Sequence, residues 1–224
     1  MADFVLIHGA WGGGWAYDRL AGELRDRGHR VLVAQLTGLG SRADEASPAI
    51  TLSHHVTDVT QQVEAAGFTR FILAAHSWGG MVATGVSAKL GGRIDAICYI
   101  DAFLPGDGQS LWDITGQWEH DYYIAAQKDL PGLVLPFPAS RGKPGYSRQP
   151  LLTLIEPVHF TGEEAKIPRR SYIYATGYQP TPFTRFRDTV AGDAGWDLHE
   201  LDSTHDVMRD QPEALLAIML GLAA

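Results

Sequence analysis

The chain has 224 residues, of which 45% are hydrophobic, 10% aromatic and 20% charged, which suits one globular domain able to bury about 70% of its unfolded surface. Its 18 lysines and arginines stand against 26 aspartates and glutamates, a net charge of −8, and the basic residues form no run that could replace phosphate counterions, so nucleic acid is excluded as a partner. The single cysteine, Cys98, rules out an intramolecular disulfide or a multi-thiolate metal site, no apolar stretch reaches the roughly 18 residues of a membrane span, and the chain opens without a basic leader or cleavage site, so a cytoplasmic protein with a buried structural thiol is expected.

In chain order, apolar runs at 4–8, 31–35, 71–75, 94–100, 171–175 and 198–201 read as strands. Amphipathic segments at 15–27, 52–66, 78–89, 184–190 and 212–222 read as helices, the last with Asp210 as its expected N-cap and Glu213 three residues on. Strands alternating with helices predict an α/β fold with a mostly parallel sheet covered on both faces. The alternation breaks over 104–165, which holds seven of the twelve prolines together with Trp112, Trp118, Tyr122, Tyr123, Phe137, Tyr146 and Phe160. A structureless loop of that length is unusual in a compact domain, so 104–165 is read as a cap inserted within a single domain spanning 1–224. Its aromatics would form either a small core of their own or a substrate wall.

The segment Phe71-Ile72-Leu73-Ala74-Ala75-His76-Ser77-Trp78-Gly79-Gly80-Met81 is a strand, then a serine with a small residue two positions to either side, then a helix. A serine hydroxyl is a poor nucleophile unless a base reaches it and donors meet its developing oxyanion. A sharp strand-to-helix turn lifts the oxygen above the sheet and aims helix amides at the reaction centre, and small flanking residues let the backbones crowd. Here the G-x-S-x-G pattern reads Ala75-His76-Ser77-Trp78-Gly79, with alanine in place of the first glycine. Taken alone, the pentapeptide equally fits a serine capping an ordinary helix.

The rest of the chain favours the nucleophile. His8-Gly9-Ala10 follows the first strand and can offer a second oxyanion donor. A dinucleotide loop is excluded there, because Tyr17 replaces the third glycine and the second strand ends at Gln35 rather than an acid. His205 lies between the last strand and the final helix, where a base belongs in the order serine, acid, histidine. His199 falls inside a strand, and His54 and His55 are helix neighbours that cannot face one ligand. With no H-E-x-x-H, no metal site is expected.

These motifs, with Gly14-Trp15 and Ala102-Phe103-Leu104-Pro105, resemble the α/β-hydrolases, and within them the salicylate-esterase, plant methylesterase and hydroxynitrile lyase group. The resemblance implies an α/β-hydrolase fold, an oxyanion hole from the amides of Ala10 and Trp78, and no cofactor. One departure matters. Plant members carry the triad acid shortly after the strand at 171–175, yet Ala175-Thr176-Gly177-Tyr178-Gln179-Pro180 has no carboxylate. Asp101 ends the preceding strand, where the plant proteins have a small apolar residue and some other superfamily members place the acid. Asp101 is therefore the candidate acid, with Glu156, Asp188 and Asp202 as weaker substitutes.

The expected reaction is hydrolysis of a small apolar or aromatic carboxylic ester through an acyl-enzyme on Ser77, with Gly9, Trp112, Trp118, Tyr122 and Tyr123 as candidate substrate-binding residues. The related lyases carry threonine and lysine where this chain has Gly9 and Asp206, which favours the esterase over cyanohydrin cleavage. A carbon–carbon hydrolase, an acyl-transfer enzyme or a non-catalytic ligand receptor on the same fold are the alternatives, and a homodimer is left open.

Overall fold

Alternate residues of each central strand feed opposite faces of one sheet. In the computed structural model, which describes residues 1–224, the strands are β1 (Asp3–Ile7), β2 (Arg30–Val33), β3 (Phe71–His76), β4 (Ile94–Ile100), β5 (Leu133–Val134), β6 (Gln149–Pro150), β7 (Arg170–Ala175) and β8 (Asp197–Leu201). Six of them form a sheet in the order β2-β1-β3-β4-β7-β8, in which every pairing is parallel. Val5, Ile7, Leu73, Ile97, Tyr99 and Tyr172 contribute to one buried cluster, and Phe4, Leu6, Ile72, Ala74, Cys98 and Ile173 to the other. Such two-sided burial explains why these strands read as continuous apolar runs. Cys98 is fully buried, and loss of hydration pushes its thiol up to about 12.

The helices are α1 (Asp18–Asp26), α2 (Leu52–Ala65), α3 (Gly79–Leu90), α4 (Gln117–Ala125), α5 (Leu152–Ile155), α6 (Thr184–Ala191), α7 (Val207–Asp210) and α8 (Pro212–Leu222). The cluster under α1 and α8 holds Leu20, Leu24, Leu215 and Met219, while the opposite one holds Val56, Val59, Val82 and Phe186 from α2, α3 and α6. Helices thus cover both faces. Asp210 does not cap α8: it ends α7, its carboxylate accepts from the Thr204 amide at 3.0 Å, and α8 starts at Pro212 without a side-chain cap. Pro212 removes one of the N–H groups that a cap would serve.

Between β4 and β7 the chain leaves the sheet and returns. This excursion carries α4, the antiparallel β5–β6 pair and α5, and its Leu111, Ile114, Tyr123, Val134 and Leu154 belong to the same buried cluster as Leu73 and Tyr99. Its apolar residues therefore extend the main core. No helix is long and apolar enough to cross a membrane.

Two glycines make the turn after β3 possible. A Cβ on Gly79 would lie 2.6 Å from the His8 carbonyl oxygen, and one on Gly80 would lie 2.0 Å from that of Phe103. Both obstacles are backbone, which cannot swing aside as a side chain does. Gly80→Ala is expected to destabilise the fold by about 3 kcal/mol. By contrast, a Cβ added to Gly22, in the middle of α1, would meet nothing within 4 Å. Gly22→Ala is therefore expected to be more stable by about 0.5–1 kcal/mol. Urea denaturation of the two variants checks both signs.

Candidate active site

Ser77 follows β3 directly, with a left-handed φ of 56°. The turn is pinned on both sides: the Ser77 amide donates to the Ile100 carbonyl at 3.3 Å, and its own carbonyl accepts from the Phe103 and Gly80 amides, each at 3.1 Å. Its Oγ lies 3.0 Å from Nε2 of His205, whose Nδ1 lies 2.6 Å from Oδ2 of Asp101. A carboxylate only accepts, so the ring proton sits on Nδ1 and the Nε2 lone pair faces the serine hydroxyl.

Asp101 stands at the end of β4, fully buried and with φ 41°. Its amide donates to the Ile173 carbonyl at 2.6 Å, and its Oδ1 accepts from the Ala175 amide at 3.1 Å. The carboxylate therefore reaches across to the end of β7, the strand after which the plant relatives' acid was expected. The other carboxylates point elsewhere. Glu156 accepts from the amide and hydroxyl of Ser53 at 2.7 and 2.8 Å, Asp188 lies 3.1 Å from Arg187, and Asp202 is exposed. His199 pairs in register with Ile173 within the sheet, and His54 bonds Thr51 at the start of α2.

The amides of Ala10, in the loop after β1, and of Trp78, next to Ser77 in the chain, have no acceptor within the protein. Trp78 stands at the N-terminus of α3, where the helix dipole favours negative charge. Gly9 lies close beneath, and a Cβ there would come 3.0 Å from that of Ser77. Trp11, the next residue after Ala10, also has a left-handed φ of 59°.

Three neighbours of His205 were not among the residues singled out from the sequence. The rings of Phe183 and Tyr178 stack on His205 at 5.0 Å each, tilted by 10° and 27°. His76, the variable residue of the turn motif, donates from Nε2 to the His205 carbonyl at 2.8 Å, its ring 4.5 Å from that of His205. Loss of hydration, then repulsion by His205, holds His76 well below the usual imidazole range. Its place beside the nucleophile was a usable clue, whereas the two stacked rings come from a stretch with no motif.

The aromatics of the insertion occupy different depths. Tyr123 is buried, 6.4 Å from Trp11 and from Trp112, while Trp112 stacks on His120 at 3.8 Å. Tyr122 donates to the Leu135 carbonyl at 3.1 Å and packs on Phe137. Trp118 is 64% exposed and stacks on Tyr122 and Phe137 from outside. No group of three or more His, Cys, Asp or Glu side chains is arranged to hold a metal ion.

This fold and site define a hydrolase, and the comparisons agree. The Alpha/beta hydrolase family matches residues 4–218. A carbendazim hydrolyzing esterase of Nocardioides sp. (strain SG-4G) is 37% identical over 241 residues, covering 99% of this chain and 100% of that protein. Salicylic acid-binding protein 2 of Nicotiana tabacum is 31% identical over 103 residues, 46% of this chain and 40% of that protein. Among solved structures, an extracellular alpha/beta-hydrolase from a Paenibacillus species, described as sharing structural and functional homology with the tobacco protein, has a TM-score of 0.85 at 25% identity over 99% of both chains. The chain belongs to the alpha/beta hydrolase family.

Two further imidazoles flank the site in their neutral forms. Burial pushes His8 and His55 each down to about 4; His8 donates from Nδ1 to the Gly9 carbonyl, and His55 from Nε2 to that of Thr37 at 2.8 Å. The unfolded chain takes up these protons near 6.5 and the folded one only near 4, so stability falls as pH drops through that window. Each group contributes up to about 3 kcal/mol to that loss. Chemical denaturation from pH 7 to pH 4 is expected to show a shallower decline for His55→Gln than for the unaltered protein. Parallel declines would contradict the assignment.

Proposed function

We propose that this ester hydrolase cleaves small carboxylic esters bearing apolar or aromatic groups, through an acyl-enzyme on Ser77. The observation that carries the reading is the unbroken contact from Ser77 Oγ through both ring nitrogens of His205 to the buried carboxylate of Asp101; the amides of Ala10 and Trp78, free of protein acceptors, add to it. His205 takes the Ser77 proton as the oxygen attacks the ester carbonyl, and the amides of Ala10 and Trp78 hold the resulting oxyanion. The same proton passes to the leaving alcohol. Water, deprotonated by His205, then releases the acid and restores the serine. Asp101 keeps the ring in the tautomer that accepts from Ser77 and stabilises the imidazolium between these steps.

Residues 104–165 act as a cap within the single domain, with Tyr123 buried, Trp112 and Tyr122 half-buried and Trp118 at the exposed rim. Gly9, a candidate substrate contact, lets the loop after β1 pack closely against the nucleophile turn. Neither Gly9 nor Asp206 offers the hydroxyl or ammonium group of the related lyases, and Asp206 pairs with Arg209 at 3.2 Å. The Nocardioides relative is named for hydrolysing carbendazim, so carbendazim belongs in the substrate panel beside simple and aromatic esters. A cytoplasmic location is supported by the one buried free thiol; the Paenibacillus structure is of an extracellular protein, and cell fractionation decides between them.

Ser77→Ala is expected to abolish p-nitrophenyl ester turnover and its burst while leaving the folded state intact; retained turnover would remove Ser77 from the mechanism. Asp101→Asn should lower kcat by on the order of 10⁴, by analogy with loss of the acid in serine proteases, and Asp202→Asn should have little effect. For the cap, Trp118→Ala is expected to reduce kcat/KM for aromatic esters more than for acetate esters. Equal losses on both, measured in the same assay, would place Trp118 outside the substrate path.

A further inference from the structure

The insertion also reaches the two backbone segments that meet the oxyanion. Gln149 and Thr153 are both fully buried, and the Gln149 Oε1 accepts from the Trp11 amide at 2.9 Å. Gln149 Nε2 donates to Thr153 Oγ1 at 2.6 Å, and that hydroxyl donates in turn to the Pro150 carbonyl at 2.6 Å. The Thr153 carbonyl accepts from the Trp78 indole Nε1 at 3.3 Å. Only one orientation of the Gln149 amide satisfies this chain, because the Trp11 N–H requires an oxygen and the Thr153 hydroxyl, already spent as a donor, requires an N–H. Trp11 adjoins Ala10, and Trp78 carries the other candidate oxyanion amide. One buried polar chain therefore ties the loop after β1 to the turn after β3 by a route that does not pass through the sheet.

Such a tie matters because an oxyanion hole works only when both donors converge on one point, at about 2.7–3.1 Å from the developing charge. Strand β1 ends at Ile7, so its pairing with β3 does not reach Ala10. Beyond that end the loop passes through the left-handed Trp11, a conformation that a tryptophan does not keep without partners. All three polar groups of Trp11 are held by the insertion: the amide by Gln149, the carbonyl by the Ser147 amide at 2.8 Å, and the indole N–H by the Val134 carbonyl at 3.0 Å.

We propose that Gln149 and Thr153 are positioning residues that set the separation of the Ala10 and Trp78 amides, so that the cap segment assembles the oxyanion hole as well as covering it. The inference rests on the reading of those amides as oxyanion donors. It assigns to Gln149 no contact with the substrate. Its effect belongs to the transition state, where charge appears on the carbonyl oxygen, and not to ground-state binding.

The test compares kcat, KM and two ligands in Gln149→Leu, Thr153→Val and Thr153→Ser, using p-nitrophenyl butyrate as substrate. One ligand is an aryl trifluoromethyl ketone, which adds to the serine and creates an oxyanion; the other is the matching alcohol, which does not. Gln149→Leu is expected to lower kcat and ketone affinity by a common factor of about 10–100, with KM and alcohol affinity changed by less than about twofold. Thr153→Val should show the same split with a smaller factor, and Thr153→Ser should restore the parent values. Unchanged kcat and ketone affinity in Gln149→Leu, or equal weakening of ketone and alcohol, would overturn the proposal. If Gln149→Leu does not fold, the same comparison between Thr153→Val and Thr153→Ser decides. Failure of the acyl-enzyme reading in which those amides act has a different signature, since turnover would then survive in Ser77→Ala whatever the outcome at Gln149.

Discussion

Three residues other than glycine adopt left-handed backbone in this chain, and all three lie at the candidate site: Trp11 beyond β1, Ser77 after β3 and Asp101 after β4. Each costs roughly 1–2 kcal/mol relative to an ordinary conformation. Such turns persist only where neighbouring contacts over-determine them. Ser77 is fixed by Ile100 and Phe103, Asp101 by Ile173 and Ala175, and Trp11 by Gln149, Ser147 and Val134. The fixing groups come from the next strand along or from the insertion, so the site's geometry is a property of the assembled sheet. A parallel sheet places all these strand ends on one edge, which is why Ser77, Asp101 and the loop after β1 can meet although they are distant in sequence.

The same arrangement explains how a carboxylate carried by β4 can serve an imidazole for which an acid after β7 was the expectation. The ends of β4 and β7 are adjacent in the sheet. From β4, Asp101 spans that gap, with one oxygen on the imidazole and the other on the Ala175 amide. The amide at the end of β7 thereby helps to hold a carboxylate carried by the neighbouring strand. Two N–H donors and complete burial leave the side chain little freedom, which suits a group that must orient a ring.

Much of this was legible in the sequence because the relevant signals are local. Continuous apolar runs mark strands buried on both faces, and the crowding that requires Gly79 and Gly80 is visible as a small-residue pattern around Ser77. Asp101 was legible through a pair of changes, a carboxylate missing after one strand and one present at the end of another. What escaped depends on contacts between distant segments. Asp210 looks like a helix cap by position but is drawn to Thr204. Aromatic content marked the insertion without telling the buried Tyr123 from the exposed Trp118, since residue type does not specify which side of an irregular segment faces inward. Gln149 gave no signal, because its partners are a backbone amide and a hydroxyl rather than a motif.

The surroundings of His205 fit the part the proposed reaction gives it, a ring that becomes a cation and then loses its charge. Phe183 and Tyr178 present aromatic faces to it, an arrangement worth about 0.5–1 kcal/mol to a cation at a partly exposed position. On another side stands His76, with ring centres 4.5 Å apart. A second positive charge there would oppose the imidazolium by about 4 kcal/mol at an effective dielectric constant near 20. Loss of hydration keeps His76 neutral, and its Nε2–H is engaged by the His205 carbonyl. The neighbour can therefore brace the backbone of His205 without competing with it for charge. Bracing and charge separation make opposite demands on an imidazole pair, and burial of His76 reconciles them.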